Sequence, residues 1–243
     1  KSQGARIDVH MGAQLIAEGN DGNKVVFTSL NDNRYGAGGT FDTANRVGSQ
    51  EAAAGDWGGI DVGHTSKASL DHAVSAYGGG TTRVEGGFSD FGAIEVHQGD
   101  LRLTNSRIEL NADGATTSTD ANRGGRGDNS AAAIFVRGAQ PIIVGNIIQG
   151  NAGPAISANV SSFNHHSVED SGRSTGHSDR YEMGVGNHGP LIAGNLLANN
   201  DINGLLVRSG TLTTEGRWDD TDIVHVVDGE IRIPDHHAFG GLR

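Results

Sequence analysis

The chain has 243 residues, 39 of them glycine, no cysteine, and a formal net charge of −11. That charge argues against nucleic acid, whose phosphates demand a cationic face, and equally against an anionic membrane surface; no run of eighteen apolar residues is present to cross a bilayer. Hydrophobic residues make up 35%, a poor supply for a spherical core but enough for a solenoid whose thin coils each enclose a narrow one.

Along the chain a phrase recurs: a small residue, an aliphatic one, any residue, then valine. A first copy stands at Ala5-Arg6-Ile7-Asp8-Val9. The start lacks a secretory signal or a cap, so we expect one domain over residues 1–243 that is a fragment of a longer polypeptide. A polar, glycine-rich loop at about 31–54 follows, holding Asp32 and Asp42, and the phrase returns at Gly59-Ile60-Asp61-Val62 and Ala93-Ile94-Glu95-Val96. Leu101 to Asn111 reads as two short strands around a corner at Asn105, and a second loop, nearly free of apolar residues, spans about 113–130.

The clearest unit begins at Ala133-Ile134-Phe135-Val136. Strands Pro141-Ile142-Ile143-Val144 and Ile147-Ile148-Gln149 follow, with Gly145-Asn146 between them and Gly150-Asn151 after them. Ile156 opens the next turn, about 22 residues after Ile134, the length of one turn of a three-sided parallel β-helix. A helix is excluded because each apolar run is short, β-branched and broken by glycine. A third loop, about 161–189, precedes a copy running from Pro190 through Asn195 to Gly204-Leu205-Leu206-Val207. Asn105, Asn146 and Asn195 sit at corners, where asparagine tolerates the left-handed conformation and its amide can ladder from coil to coil. Residues 210–234 read as longer closing strands. The expected fold is therefore all-β, a single-stranded parallel β-helix with long polar insertions.

Three phrases resemble a known family: Val25-Val26-Phe27-Thr28-Ser29 with Asp32 nearby, Gly55-Asp56-Trp57-Gly58-Gly59-Ile60, and Leu70-Asp71-His72-Ala73-Val74-Ser75-Ala76-Tyr77-Gly78-Gly79-Gly80. Together they are similar to the right-handed parallel β-helix segments of very large secreted bacterial surface proteins, within the pectate-lyase-like superfold. The resemblance covers roughly residues 7–207. It implies export, an extracellular or cell-surface location, and service as a rigid module among others; it implies no enzyme, since a superfold does not fix chemistry.

Asp219 and Asp220, near Asp222 and Glu215, are the densest carboxylate group. They are the candidate pair for polysaccharide hydrolysis, set against a solvated turn. Asp61, Asp71, Glu95 and Glu109 alternate with apolar residues and point outward, with Asp61 and Glu95 at equivalent repeat positions: an acidic ladder for calcium, or a hydrated face. Asp32 and Asp42 are a separate candidate calcium site stiffening their loop. His165, His166, His177 and His188, with Glu169, Asp170 and Asp179, offer imidazole and carboxylate to a transition metal without a ligand spacing; His236 and His237 offer less. Arg126-Gly127-Asp128 spells a receptor-binding tripeptide of the kind that chance supplies. Trp57 and Trp218 offer faces to sugars, although Trp57 belongs to the repeat and should pack at a coil edge.

The expectation is a non-catalytic structural or adhesive module, calcium-stiffened or self-assembling, whose partners are a polysaccharide or other surface proteins. The alternative is a polysaccharide lyase or glycoside hydrolase.

Overall fold

A computed structural model describes residues 5–35, 51–84, 87–115, 128–164, 166–174 and 187–234. Among them the chain is all-β, and the one helical element is a 3-10 turn at Val160–Ser162. The small-aliphatic-any-valine phrases become the strands of the first sheet: β1 (Ile7–Val9), β4 (Ile60–Val62), β9 (Ile94–His97), β12 (Ile134–Arg137), β15 (Ile156–Asn159) and β18 (Leu205–Thr211), with β19 (His225–Arg232) beyond. All are parallel, and from β4 to β18 in one register, so Ile60, Ile94, Ile134, Ile156 and Leu205 form one inward column and Val62, Val96, Val136, Ala158 and Val207 the next.

After each first-sheet strand up to β15 the chain adds a strand to a second parallel sheet. These are β2 (Gln14–Glu18), β5 (Lys67–Asp71), β10 (Asp100–Thr104), β13 (Ile142–Val144) and β16 (Leu191–Ala193). It then adds one to a third: β3 (Val25–Phe27), β6 (Ala73–Ala76), β11 (Arg107–Glu109), β14 (Ile147–Gln149) and β17 (Leu196–Ala198). Ile134 pairs with Ile156, so the unit that the sequence marks as clearest is one circuit. The core lies between the three sheets, where Leu70, Ile94, Leu103, Ile108, Ile143 and Ile148 are fully buried.

The small residue that opens each phrase has a packing reason. A Cβ on Gly59 would collide with the carbonyl of Gly92, and its φ of 112° is closed to other residues. At the three bends, equivalent positions take the left-handed conformation: Gly12, Thr65, Gln98 and Gly138 at the first; His72, Asn105, Gly145 and Gly194 at the second; Tyr77, Leu110, Gly150 and Asn199 at the third.

Two ladders fasten the second and third bends. Asn146 gives its backbone and side-chain N–H groups to Asn195 Oδ1 and receives Ser106 N–H on its own Oδ1. One bend later Asn111 donates both groups to Asn151, Asn151 to Asn200, and Asn200 to Asn203. Asn105 does not belong to the first ladder, contrary to the expectation. It holds the left-handed corner, and Ser106 occupies the ladder position, passing the chain of bonds to Ala73 N–H.

Two further features differ from the sequence reading. Strand β7 (Thr81–Val84) pairs antiparallel with β8 (Gly87–Asp90). The closing segment is divided otherwise than expected: β18 stops at Thr211, and β19 is one eight-residue strand paired to it across a register shift between Arg208 and Gly210.

Candidate functional site

The outer face of the second sheet carries the groove best suited to a ligand. Outward positions alternate with core positions along each strand, which sets Ile16, Ser69, Arg102, Ile142 and Leu191 in one column and Glu18, Asp71, Thr104, Val144 and Ala193 in the next. One end of this face is apolar and the other ionic. Residues 166–174, from the insertion between β15 and β16, lie over both: Val168 packs on Ile142, Val144, Leu191 and Ala193. Two residues further on, Asp170 takes a two-pronged contact from Arg102, Nε to Oδ1 at 2.8 Å and Nη2 to Oδ2 at 3.2 Å.

Arg173 then reaches back into the same cluster, 3.3 Å from Asp71 and 3.9 Å from Glu18, and donates to the carbonyl of Gly19. Glu18 also accepts Ser69 Oγ–H and Ser174 N–H. Burial alone would lower the pKa of Arg102, but Asp170, Asp71 and Glu18 outweigh it and raise the value. Beside these ion pairs a groove of about 650 Å³ opens between the insertion and the sheet, with Lys67, Ser69, Asp100, His166 and Glu169 among its lining residues. Such a mixture of long polar groups and an apolar floor suits a sugar chain or a polar peptide.

The carboxylates weighed as a candidate catalytic pair have another occupation. Asp219 accepts the backbone N–H of His188, Asp220 that of Ile192 at 3.0 Å, and Asp222 that of Gly194 at 2.6 Å. Ile192 and Gly194 belong to the outermost strand of the second sheet and the residue after it. The carboxylates of the 219–222 segment thus serve N–H groups that a further strand would otherwise satisfy. Burial is the main cause that pushes Asp220 up to about 7, the Ile192 N–H opposing it and the charges of Asp219 and Asp222 adding to it.

Of the candidate calcium pair, Asp42 lies outside the described residues. Asp32 is 2% exposed and takes Arg34 on both oxygens and Thr28 on one. Burial would raise its pKa, and these bonds reverse the sign. Arg34 also binds Glu109, which accepts from Arg107 and Gln149; here too the donors overcome burial and lower the pKa. Asp71 and Glu109 therefore belong to ion pairs on different faces.

Asp61 and Glu95 do stand side by side in register on β4 and β9. They point away from the core as expected, yet are 2% and 0% exposed rather than hydrated, and Asn129 and Gly92 close over Glu95. Their neighbour His97, which the sequence reading did not single out, places Nε2 2.8 Å from Glu95 Oε2.

Of the histidine-rich loop, His165, His177 and Asp179 lie outside the described residues, as do His236, His237, Arg126 and Gly127. His166 and Glu169 are exposed in the groove, Asp170 is locked to Arg102, and His188 sits beside Asp219. Trp57 is buried and donates to the carbonyl of Ala76 at 2.8 Å, a packing role as expected. Trp218 stacks on His225 at 5.4 Å and lies 5.2 Å from Phe163, so its ring is engaged internally.

Compared with known proteins, the chain matches no family model, no curated protein and no solved structure.

Proposed function

We propose that the chain is a right-handed parallel β-helix that serves as a non-catalytic structural and adhesive module of a secreted or cell-surface bacterial protein. Strand-to-strand crossovers between parallel partners are almost always right-handed, which supports the hand. The observation that carries the reading is the occupation of Asp219, Asp220 and Asp222 by three backbone N–H groups. Paired acids that work on a sugar need freedom to move a proton to it; these hold a sheet edge. The stacked circuits supply stiffness, and the groove over the second sheet supplies an adhesive face for an extracellular polysaccharide.

An enzymatic reading draws support from Arg102, His166 and Glu169 at one groove, a set that offers charge neutralisation and proton transfer to an acidic saccharide. One experiment separates the two. The chain is incubated with uronate-rich and neutral polysaccharides, and both retention and cleavage are measured. The module reading expects retention of a polysaccharide with no new reducing or unsaturated ends. Steady turnover abolished by Asp220→Asn or by Glu169→Gln overturns it.

A further inference from the structure

We propose that Asp61, Glu95 and His97 bind one divalent transition-metal ion of the zinc class. The site follows from register. Asp61 and Glu95 are Cα partners on adjacent parallel strands, and Glu95 and His97 are two residues apart on one strand, hence on one face. One donor atom from each of the three lies within 4.8 Å of the others, and all three residues are buried. Zinc holds nitrogen and oxygen donors at about 2.0–2.2 Å, so two donors on one ion are at most about 4.4 Å apart and the three groups would draw together on binding.

The surroundings favour a cation. Asp8, Asp61 and Glu95 occupy three successive positions of one outward column, and Arg6 pairs with Asp8 at the near end. Arg208, whose guanidinium lies 4.2 Å over the Phe135 ring, is a cation that interacts with Glu95, and an ion between Asp61 and Glu95 would add positive charge to the buried carboxylates. Glu95 is already oriented: Gly92 N–H and Asn129 Nδ2 hold Oε1 at 2.7 and 2.6 Å, which turns Oε2 toward His97. The imidazole is 6% exposed, packs 5.4 Å from the Phe135 ring, and its Nδ1 has no hydrogen-bond partner among the described residues. Nε2, the nitrogen that faces Glu95 Oε2, is the one placed to share an ion with the carboxylates.

Imidazole beside two carboxylates favours a borderline ion such as Zn²⁺ over the hard ions Mn²⁺ and Ca²⁺, which prefer oxygen donors. An ion here would tie the second circuit to the third through rigid strands.

The test uses the whole chain, stripped with EDTA and exchanged into metal-free buffer. It is titrated with Zn²⁺, Mn²⁺ and Ca²⁺ by calorimetry, with bound ion counted by mass spectrometry. The expected result is one tightly held Zn²⁺ per chain, a preference over Ca²⁺ of at least about tenfold, and a higher melting temperature with Zn²⁺. His97→Gln and Asp61→Asn keep polar groups of similar size; each should weaken Zn²⁺ binding about tenfold or more with an unchanged far-UV circular dichroism spectrum. Should a variant not fold, the wild-type chain labelled with ¹⁵N-histidine decides, because Zn²⁺ must shift the ring nitrogens of one solvent-protected histidine. Absence of stoichiometric Zn²⁺, equal affinity in a folded variant, no shift in a protected histidine, or a preference for Ca²⁺ would overturn the proposal.

Discussion

Asn151 donates to Asn200 Oδ1 twice, from its backbone at 3.2 Å and from its side chain at 2.7 Å, although 49 residues separate the two. The same side-chain amide also donates to the carbonyl of Ile108, and its oxygen receives both N–H groups of Asn111. One buried side chain therefore joins three circuits. Asn151→Ala leaves donors and acceptors on both sides without partners, and we expect a loss of about 2–4 kcal/mol. Asn199→Ala, at the exposed neighbouring corner, should cost far less. Urea midpoints of the two variants check the difference.

That ladder also shows how far the sequence could be read. The recurring triplets gave their partners correctly, because a sheet buried on its inner face fixes register through the aliphatic pattern. Of the three corner asparagines, the left-handed conformation holds at Asn105 alone, Gly145 and Gly194 taking it in the later circuits, while the ladder holds at Asn146 and Asn195, since asparagine suits both the corner and the ladder one residue later. The second ladder was visible as spacing, 146 to 151 and 195 to 200, and went unused. What covers each outer face was not legible: Glu95 is closed over by Asn129, and the role of Asp220 depends on a strand nearly 30 residues away. Strand β7 alternates exposed and buried residues, a two-residue period hidden among its glycine-rich neighbours.

Asp220 gives the fold a dependence on pH. The unfolded carboxyl titrates near 3.8 and the folded one at about 7. Between those values the native state keeps a proton that the unfolded chain releases, so this contribution is complete below pH 4, declines as pH rises toward 7, and is flat above. Asp220→Asn keeps an oxygen for Ile192 N–H and has nothing to titrate. It should match the wild type near pH 4 and exceed it by a few kcal/mol at pH 8, about 1.4 kcal/mol for each unit between the two pKa values. Denaturation midpoints across that range show whether the slope disappears.

Thr65 is a β-branched residue at φ 58°, where the equivalent bends of the first and fourth circuits use Gly12 and Gly138. It is exposed, so little packing offsets the strain. Thr65→Gly should stabilise the chain by about 1 kcal/mol, the left-handed penalty exceeding the added freedom of the unfolded state. A raised melting temperature is the expected readout.

Arg102 and Asp170 couple the insertion to the second sheet. Arg102→Met leaves a buried carboxylate without its cation and should cost about 3–5 kcal/mol. Adding Asp170→Leu should restore much of it while leaving the polar groove altered. Hydrogen exchange over residues 166–174 should quicken in the single variant and slow again in the double one. Retention of polysaccharide should fall in both.

Every outer-face site depends on adjacent circuits lying in register. Lys67 and Asp100 are Cα partners on β5 and β10, with exposed side chains 3.0 Å apart at their charged ends. Gln14 pairs with Lys67 from the other side, which sets it two strand spacings, about 9.6 Å, from Asp100. The chain has no cysteine of its own, so engineered pairs report cleanly. Lys67→Cys with Asp100→Cys should oxidise to an intramolecular disulfide, and Gln14→Cys with Asp100→Cys should remain reduced, because a disulfide bridges Cα atoms only up to about 7 Å apart. Failure of the first pair to close, or closure of the second instead, would contradict the stacking from which every outer-face site has been built.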